Sequence, residues 1–487
     1  MFDGSFNRLL EIEENCLRDR LIIDGCDAWP LVRHRLWALM TASQLSSKRN
    51  PLNFVLTIKK FLAVIRLLLD NRLAEPAVSV VVTDTMRPTA ILFGRYKHFT
   101  SSIETSLRID RVLGPIADEM SRSFHLEEFV LDNVSSKTIH HNKRIFHRAF
   151  SFGIFQFKGI FSSGLIPACK KHDINSFKLI VSLLFDGVVF LSARKSMKLY
   201  FRSLPCPSFV LIDTWYSPDM MGIISVLHEK KIVIVEVQHG YIHPKHAMYV
   251  DWPVSTGNAI SLRPDSFWTW SDLAMNGLNI ADSVCHTHND FFVGGYPWTY
   301  QQLQKLKGDK TFTEQRLSTK SHKVLITLGA PQTDGCEDLP EALLRVLENK
   351  VDISFVLLPH PNVPNFKEYL DLKFKNKLPL NVEVAAINSD VYSLLASCSH
   401  HITAMSTVAL ETPAFGVPSL IIGRIGVGLF DSLIDNKWLF ATESNEQVIL
   451  DFLSTNTKGE KVDGTYIESS LHLLLSGIEN CKVRAKI

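Results

Sequence analysis

The sequence predicts an α/β protein built from two doubly wound parallel sheets, and three stretches of its last third carry that expectation. They are Lys323-Val324-Leu325-Ile326-Thr327-Leu328-Gly329, Leu358-Pro359-His360-Pro361-Asn362 and Ala404-Met405-Ser406-Thr407-Val408-Ala409-Leu410-Glu411-Thr412-Pro413. Each follows or closes a short apolar run with small or polar residues able to meet a phosphate or a ribose. Separated by helical patterns, they describe the carboxyl edge of a parallel sheet, where open α/β folds bind their ligands. Upstream, short β-branched runs alternate with helical stretches from Val78 to about residue 300, the signature of βαβ units.

Taken in order, residues 1–75 read as helices, with a turn at Asp24-Gly25 and a Trp29-Pro30 entry into residues 31–37. Residues 59–69 form a basic amphipathic candidate that could lie peripherally on an anionic inner membrane leaflet. The preferred reading is a helix packed on its own domain, since apolar stripes usually face a core. Strands are expected at 78–84, 209–213 and 232–237, with a helix over 220–230. Asp84 and Asp213 then stand where buried strands end, close to any cleft. The polar segment 301–322 reads as a linker. A second strand–helix series follows, and leucines at helical spacing (Leu471, Leu473, Leu474, Leu475) mark a tail. The expected division is a domain over 1–300 with a helical N-terminal extension, a linker over 301–322 and a domain over 323–465. A helix over 466–487 is expected to pack back on the first domain.

With 487 residues, 46% hydrophobic and 21% charged, the chain has the composition of an ordinary globular protein of two or three domains. A formal charge of +2 gives no global field for nucleic acid, and no such partner is expected. Its eight cysteines stand singly, with no CxxC pair, which reads as a reduced, cytoplasmic chain without a zinc ribbon. The acidic, polar start reads as lacking a signal peptide. The apolar runs 61–69 and 180–193 are broken by Arg66 and Asp186 and fall short of about 20 residues, so no bilayer span is expected.

Four places could carry chemistry. Gln238-His239-Gly240-Tyr241-Ile242-His243-Pro244-Lys245-His246 leaves a strand directly. His239 suits proton transfer near neutrality, and Gly240 allows a tight turn or close ligand approach. Thr327-Leu328-Gly329-Ala330-Pro331-Gln332 reads as a phosphate loop. Ser406-Thr407 opens an apolar helix carrying Glu411 one turn in and closed by Gly416, an anion site made of free N–H groups and two hydroxyls. Gly294-Gly295 reads as a hinge out of the first domain or as a plain turn. The histidine pairs His140/His141, His243/His246, His286/His288 and His400/His401 lack a carboxylate or cysteine at matching spacing, so no metal is expected.

The Gln238-His239-Gly240 element, the Gly294-Gly295 crossover, the His360-Pro361 pair and the Ser406-Thr407 helix with Glu411 resemble, in order and spacing, bacterial GT-B glycosyltransferases that build capsules, O-antigens and lipooligosaccharides. The likeness covers about residues 205–440. The His-Pro and Ser/Thr motifs are similar to those of transferases using CMP-activated sialic acid or Kdo. It implies a GT-B fold, acceptor in the first domain and nucleotide sugar in the second, without metal or cofactor, acting on a glycan or lipid-linked acceptor. It assigns the leaving phosphate to Ser406, Thr407 and a protonated His360, and the ribose to Glu411. Thr327, Gly329, Gln332 and Pro361 would complete the donor side, and Gln238, Gly240 and Lys245 the acceptor side. His239, or failing it Asp213, would take the acceptor proton. The acidic motif of bacterial sialyltransferases is missing, since Thr333-Asp334-Gly335 supplies a single acid. The CDP-glycerol or CDP-ribitol phosphotransferases share a His-Gly motif with a following lysine, but their Asp-Tyr-Ser-Ser signature does not match Ala404-Met405-Ser406-Thr407. A non-catalytic nucleotide-sugar-binding module and a sugar-nucleotide epimerase of the same fold also stay open.

Overall fold

A computed structural model describes residues 2–16, 22–45, 88–95, 99–101, 108–130, 164–203, 205–242, 246–250, 252, 262–270, 290–308, 322–329, 338–360, 366–375, 377–386, 389–435 and 439–455. By packing they fall into two compact units, within Phe2–Gly295 and Tyr296–Glu468. The expected helix at 59–69, the strand at 78–84 with Asp84, and the tail at 466–487 lie outside the described residues.

The first unit holds six parallel strands: β1 (Thr89–Gly94), β2 (His125–Val130), β3 (Phe209–Ile212), β4 (Val233–Val237), β5 (Ser266–Thr269) and β6 (Asp290–Val293). Their order across the sheet is β6-β5-β4-β3-β1-β2. Successive side chains feed different cores. Ile91, Phe93, Val210, Ile212 and Ile234 enter one, while Ala90, Leu92, Leu211, Val233 and Val235 enter another. A sheet covered on both faces needs apolar residues at nearly every position, which is why β3 reads as an unbroken run and β4 as a run interrupted by Glu236.

Helices Phe2–Cys16 and Trp29–Leu45 form the extension as expected. Between them the strands Ile22–Ile23 and Cys26–Asp27 pair around Asp24 and Gly25, both at positive φ (49° and 79°). Asp27 Oδ1 accepts the Trp29 N–H at 3.0 Å and starts the second helix. From that helix the fully buried Arg33 donates to Glu13 Oε2 (2.7 Å), to Ala247 O (2.5 Å) and to Val250 O (2.8 Å). The extension therefore ties down the loop over 246–250.

The apolar run at 180–193 is part of a longer helix than expected, Ser176–Ser203. It is long and apolar enough by composition to cross a membrane. Its polar groups argue for a core helix instead. Asp186 is buried and held by Arg35, and Arg194 pairs with Asp24 and Glu229. The helix packs along Pro218–Glu229 and Trp29–Leu45.

The second unit is a six-stranded parallel sheet of β7 (Lys323–Thr327), β8 (Ser354–Leu358), β9 (Val382–Val384), β10 (His400–Thr403), β11 (Ser419–Ile422) and β12 (Phe440–Thr442). The order is β9-β8-β7-β10-β11-β12, so the chain direction across the sheet reverses between β7 and β10. Val324, Ile326, Phe355, Leu357, Ile402, Leu420 and Ile422 share one core. Side-chain caps start its helices: Asp390 accepts from the Tyr392 and Ser393 amides, and Asn445 from those of Gln447 and Val448.

Two elements differ from the sequence reading. The segment read as a linker from residue 301 is helical up to Gly308, within Pro297–Gly308. That helix buries Trp298, Thr299 and Leu303 against Val391–Ser397 and Thr412–Phe415, leaving a polar outer face that resembles a linker in composition. The apolar helix expected from Ser406 is instead two 3₁₀ turns, Thr407–Leu410 and Thr412–Phe415. Pro413 removes an amide donor, and Gly416 at φ 64° ends the segment, so a full α-helix cannot form. The two doubly wound parallel sheets themselves are as expected.

Candidate functional site

In the first unit the sheet reverses direction beside β1, and polar residues gather at the carboxyl ends of β1, β3 and β4. Asp213, fully buried after β3, accepts the Arg95 N–H at 2.6 Å through Oδ2. The Arg95 guanidinium grips Asp219 at 3.0 and 2.8 Å and also reaches Ser217, fixing the start of helix Pro218–Glu229. After β4 comes His239, largely buried. Its Nδ1 lies 3.7 Å from Glu236 Oε1 and its Nε2 3.4 Å from the Tyr216 hydroxyl. Tyr249 donates to the same Glu236 oxygen at 2.7 Å.

Glu236 is the residue that sequence reasoning missed. Burial, reinforced by the neighbouring Asp213 charge and only partly offset by the Tyr249 hydrogen bond, pushes its carboxyl well above the usual carboxylate range. The signal was present as a lone acid inside the apolar strand Val233–Val237. Tyr216 and Tyr249 gave no such signal, because only the fold brings Tyr216 to His239 and Tyr249 to Glu236.

The other residues expected here divide. Gln238 is buried and supports the loop, accepting the Trp270 N–H at 2.7 Å and donating to Gly240 O at 2.9 Å. Gly240 has no positive φ, and a Cβ there would meet no described atom within 4 Å, so its contribution is open room beside the chain. Lys245 and His243 lie outside the described residues. The Gly294-Gly295 pair makes a packed corner: a Cβ on Gly294 would sit 1.9 Å from Trp268, Gly295 has φ 78°, and its carbonyl accepts the Trp268 indole N–H at 2.8 Å.

In the second unit the register pairs Thr327 with Leu358 on one side and with Thr403 on the other. Gly329, His360 and Ser406 therefore follow three adjacent strand ends, with the reversal point between two of them. Thr327 is buried, its hydroxyl 2.8 Å from His401 Nε2. Its carbonyl accepts the Thr403 hydroxyl at 2.8 Å, and Thr403 Oγ1 accepts the Ser406 N–H at 3.1 Å. Ser406 caps the first turn by accepting the Val408 N–H at 3.3 Å. The amides of Ser406 and Val408 are thus engaged rather than free, and a four-residue turn has little dipole. Among the described residues of this turn, the Ser406 O–H and the exposed Thr407 hydroxyl are side-chain donors at the edge.

His360 is half-buried, and burial lowers its pKa below the ordinary histidine value, which disfavours the protonated form. An arriving phosphate would oppose that shift. Glu411 is buried and accepts from Thr299 Oγ1 at 3.1 Å and from the Tyr392 hydroxyl. Gly329 faces Asp338, a buried acid absent from the sequence reading: a Cβ on the glycine would stand 3.2 Å from Asp338 Oδ1. Gln332 and Pro361 lie outside the described residues. His400 and His401 leave their strand toward different partners, Thr455 O and Ser419 Oγ, so they do not act as one ligand pair.

No family model matches the chain, and no curated protein matches it. Among solved structures it is similar to a co-structure of S. aureus MnaA with UDP, at 13% identity over 79% of this chain and 93% of that one, with a TM-score of 0.47. It is similar to UDP-GlcNAc 2-epimerase from Neisseria meningitidis bound to UDP-GlcNAc, at 14% identity over 82% and 100%, with a TM-score of 0.46. It is also similar to the catalytic domain of starch synthase IV from Arabidopsis thaliana bound to ADP and acarbose, at 10% identity over 82% and 99%, with a TM-score of 0.42. All three are remote likenesses, and none assigns the chain to a family.

Proposed function

We propose that this chain is a metal-independent glycosyltransferase that moves a sugar from a nucleotide-activated donor to a growing surface glycan or lipid-linked acceptor in the cytoplasm. The observation that carries the reading is the second sheet, where Gly329, His360 and Ser406 follow three adjacent strand ends beside the reversal point between β7 and β10. That edge of a parallel sheet is where nucleotides bind. The preference for a CMP-linked donor rests on the likeness of His360-Pro361 and Ser406-Thr407 to CMP-sugar transferases.

On the donor side, the Ser406 and Thr407 hydroxyls and the His360 ring donate to the leaving phosphate, and Glu411 meets the ribose. On the acceptor side His239 takes the hydroxyl proton. Glu236 and Tyr216 flank its two ring nitrogens at 3.7 and 3.4 Å. A positioned base of this kind contributes about 10²- to 10⁴-fold.

A sugar-nucleotide epimerase is the second reading, favoured by one observation. Glu236, whose carboxyl is biased toward its acid form by burial, and Asp213 stand near the carboxyl ends of neighbouring strands. An acid and a base so placed suit proton exchange at a sugar carbon, with no acceptor needed. Incubation with CMP-, UDP- and GDP-sugars in EDTA, with and without glycan acceptors, separates the cases. Transfer releases nucleotide only when acceptor is present. Epimerisation alters the sugar without acceptor. No conversion of any donor would leave a binding module and refute the enzymatic reading.

A further inference from the structure

The reading above gives no role to His401, although this ring sits at the centre of a buried chain of hydroxyls. Its Nε2 lies 2.8 Å from Thr327 Oγ1 and its Nδ1 2.9 Å from Ser419 Oγ. Ser419 Oγ is 2.7 Å from Thr412 Oγ1, which reaches Ala409 O at 3.1 Å. Thr327, His401, Thr412 and Ser419 are all buried. The chain thus runs from the end of β7, through β10 and β11, to the two 3₁₀ turns that carry Ser406 to Glu411.

The direction of each proton follows from counting. A carbonyl only accepts, so Thr412 gives its single hydroxyl proton to Ala409 O. Ser419 must then supply the proton of its contact with Thr412. Having given it away, Ser419 Oγ accepts from His401 Nδ1. Burial alone pushes the His401 ring down to about 3, so near neutral pH it carries one N–H. With that hydrogen on Nδ1, Nε2 is a lone pair and accepts the Thr327 O–H. Every hydroxyl is used once as donor, and all protons point from Thr327 toward Ala409.

We propose that His401, fixed as its Nδ1–H tautomer, is a positioning residue that sets the nucleotide-facing turn by tying it to the end of β7. The proposal rests on the reading of this edge as a nucleotide site. Two consequences follow. Thr327, expected from the sequence to lie in a phosphate loop on the donor-binding side, has its hydroxyl proton committed inward, so that its Oγ1 can only accept. The Ser406–Glu411 segment is held from below by a chain that carries no charge, so this support does not titrate around neutrality.

The first test reads the ring itself, by nitrogen-15 NMR of histidine-labelled full-length protein. One ring should stay neutral as the Nδ1–H tautomer between about pH 5 and pH 8, and its signal should vanish in His401→Gln. A His401 ring that titrates in that interval, or that carries its hydrogen on Nε2, overturns the proposal. The second test measures binding of CMP, CDP and UDP by calorimetry. Ser419→Ala, which cuts the chain and leaves the ring in place, should weaken the nucleotide that binds best by about tenfold, the equivalent of one buried hydrogen bond. His401→Phe should weaken it at least as much, and His401→Gln less, because an amide can still donate and accept. Equal affinity of the Phe and Gln variants, or unchanged affinity in Ser419→Ala, would mean that the ring only fills space. Should the wild-type chain bind none of the three while the tautomer is as stated, the nucleotide reading fails and the proposal's ligand with it.

Discussion

At the scale of single residues, the account stands on a histidine that can be read from sequence and an acid that cannot. His239→Ala should lower turnover by about 10²-fold or more, while donor affinity, which belongs to the other unit, stays nearly unchanged. Loss of nucleotide binding in that variant would move His239 to the donor side or make it structural. Glu236 has a pKa raised in the folded chain, so the folded state holds its proton more tightly than the unfolded one. The stability this gives is complete below the unfolded value near 4.5 and is lost as pH rises toward the folded value. Glu236→Gln keeps a neutral group there and should flatten the fall in thermal midpoint above about pH 4.5. A slope identical to wild type would mean that Glu236 is ionised in the folded protein. For His360, the comparison is between two donors whose leaving groups differ in basicity. His360→Ala should slow the more basic one further, by up to about 3 kcal/mol if the ring donates to the leaving group. A mild and equal loss, about 1 kcal/mol, would make it a hydrogen-bonded loop residue only.

At the scale of elements, what the sequence reveals depends on how uniform each environment is. β3, β4, β7 and β8 were legible because a strand buried on both faces is apolar along most of its length. The 3₁₀ turns over 407–415 were read as a helix because apolar spacing alone does not distinguish them; Pro413 and Gly416 decide the matter. Residues 301–308 of helix Pro297–Gly308 were read as part of a linker because that stretch is mostly polar, although Leu303 is buried. The N-terminal helices were legible as helices, but their purpose was not, since it depends on Arg33 reaching residues more than 200 positions away. Arg33 and Glu13 form a pair with both side chains fully buried. Removing one partner of such a pair typically costs about 3–5 kcal/mol. Arg33→Ala should therefore lower the thermal midpoint strongly and also depress turnover, because it frees the backbone on either side of Met248 and Tyr249. A fall of under about 1 kcal/mol, with activity intact, would detach the extension from the site.

At the scale of the whole molecule, two parallel sheets each place polar side chains at their carboxyl edges, and the proposed function divides the chemistry between them. The first unit collects His239, Glu236, Asp213 and two tyrosines; the second collects hydroxyls, His360 and Glu411 over a neutral hydrogen-bonded floor. Strand ends were legible in both halves because glycine, histidine and serine interrupt apolar runs there. The supporting partners (Tyr216, Tyr249, Thr299, Tyr392, Asp338) were not, being distant in sequence and ordinary in type. The central claim, that the carboxyl edge of the second sheet is a metal-independent nucleotide site, is tested most directly by equilibrium binding of CMP, CDP and UDP in EDTA. Wild type is compared with the double variant Ser406→Ala, Thr407→Ala. The account predicts that at least one nucleotide binds without magnesium and raises the thermal midpoint, as about 2.7 kcal/mol of stabilisation at 100-fold saturation should. It also predicts that the double variant, less stable when unliganded by about 1 kcal/mol for the lost Ser406 cap, binds that nucleotide at least about tenfold more weakly. No binding by wild type, binding only with magnesium, or equal affinity in the double variant would contradict it.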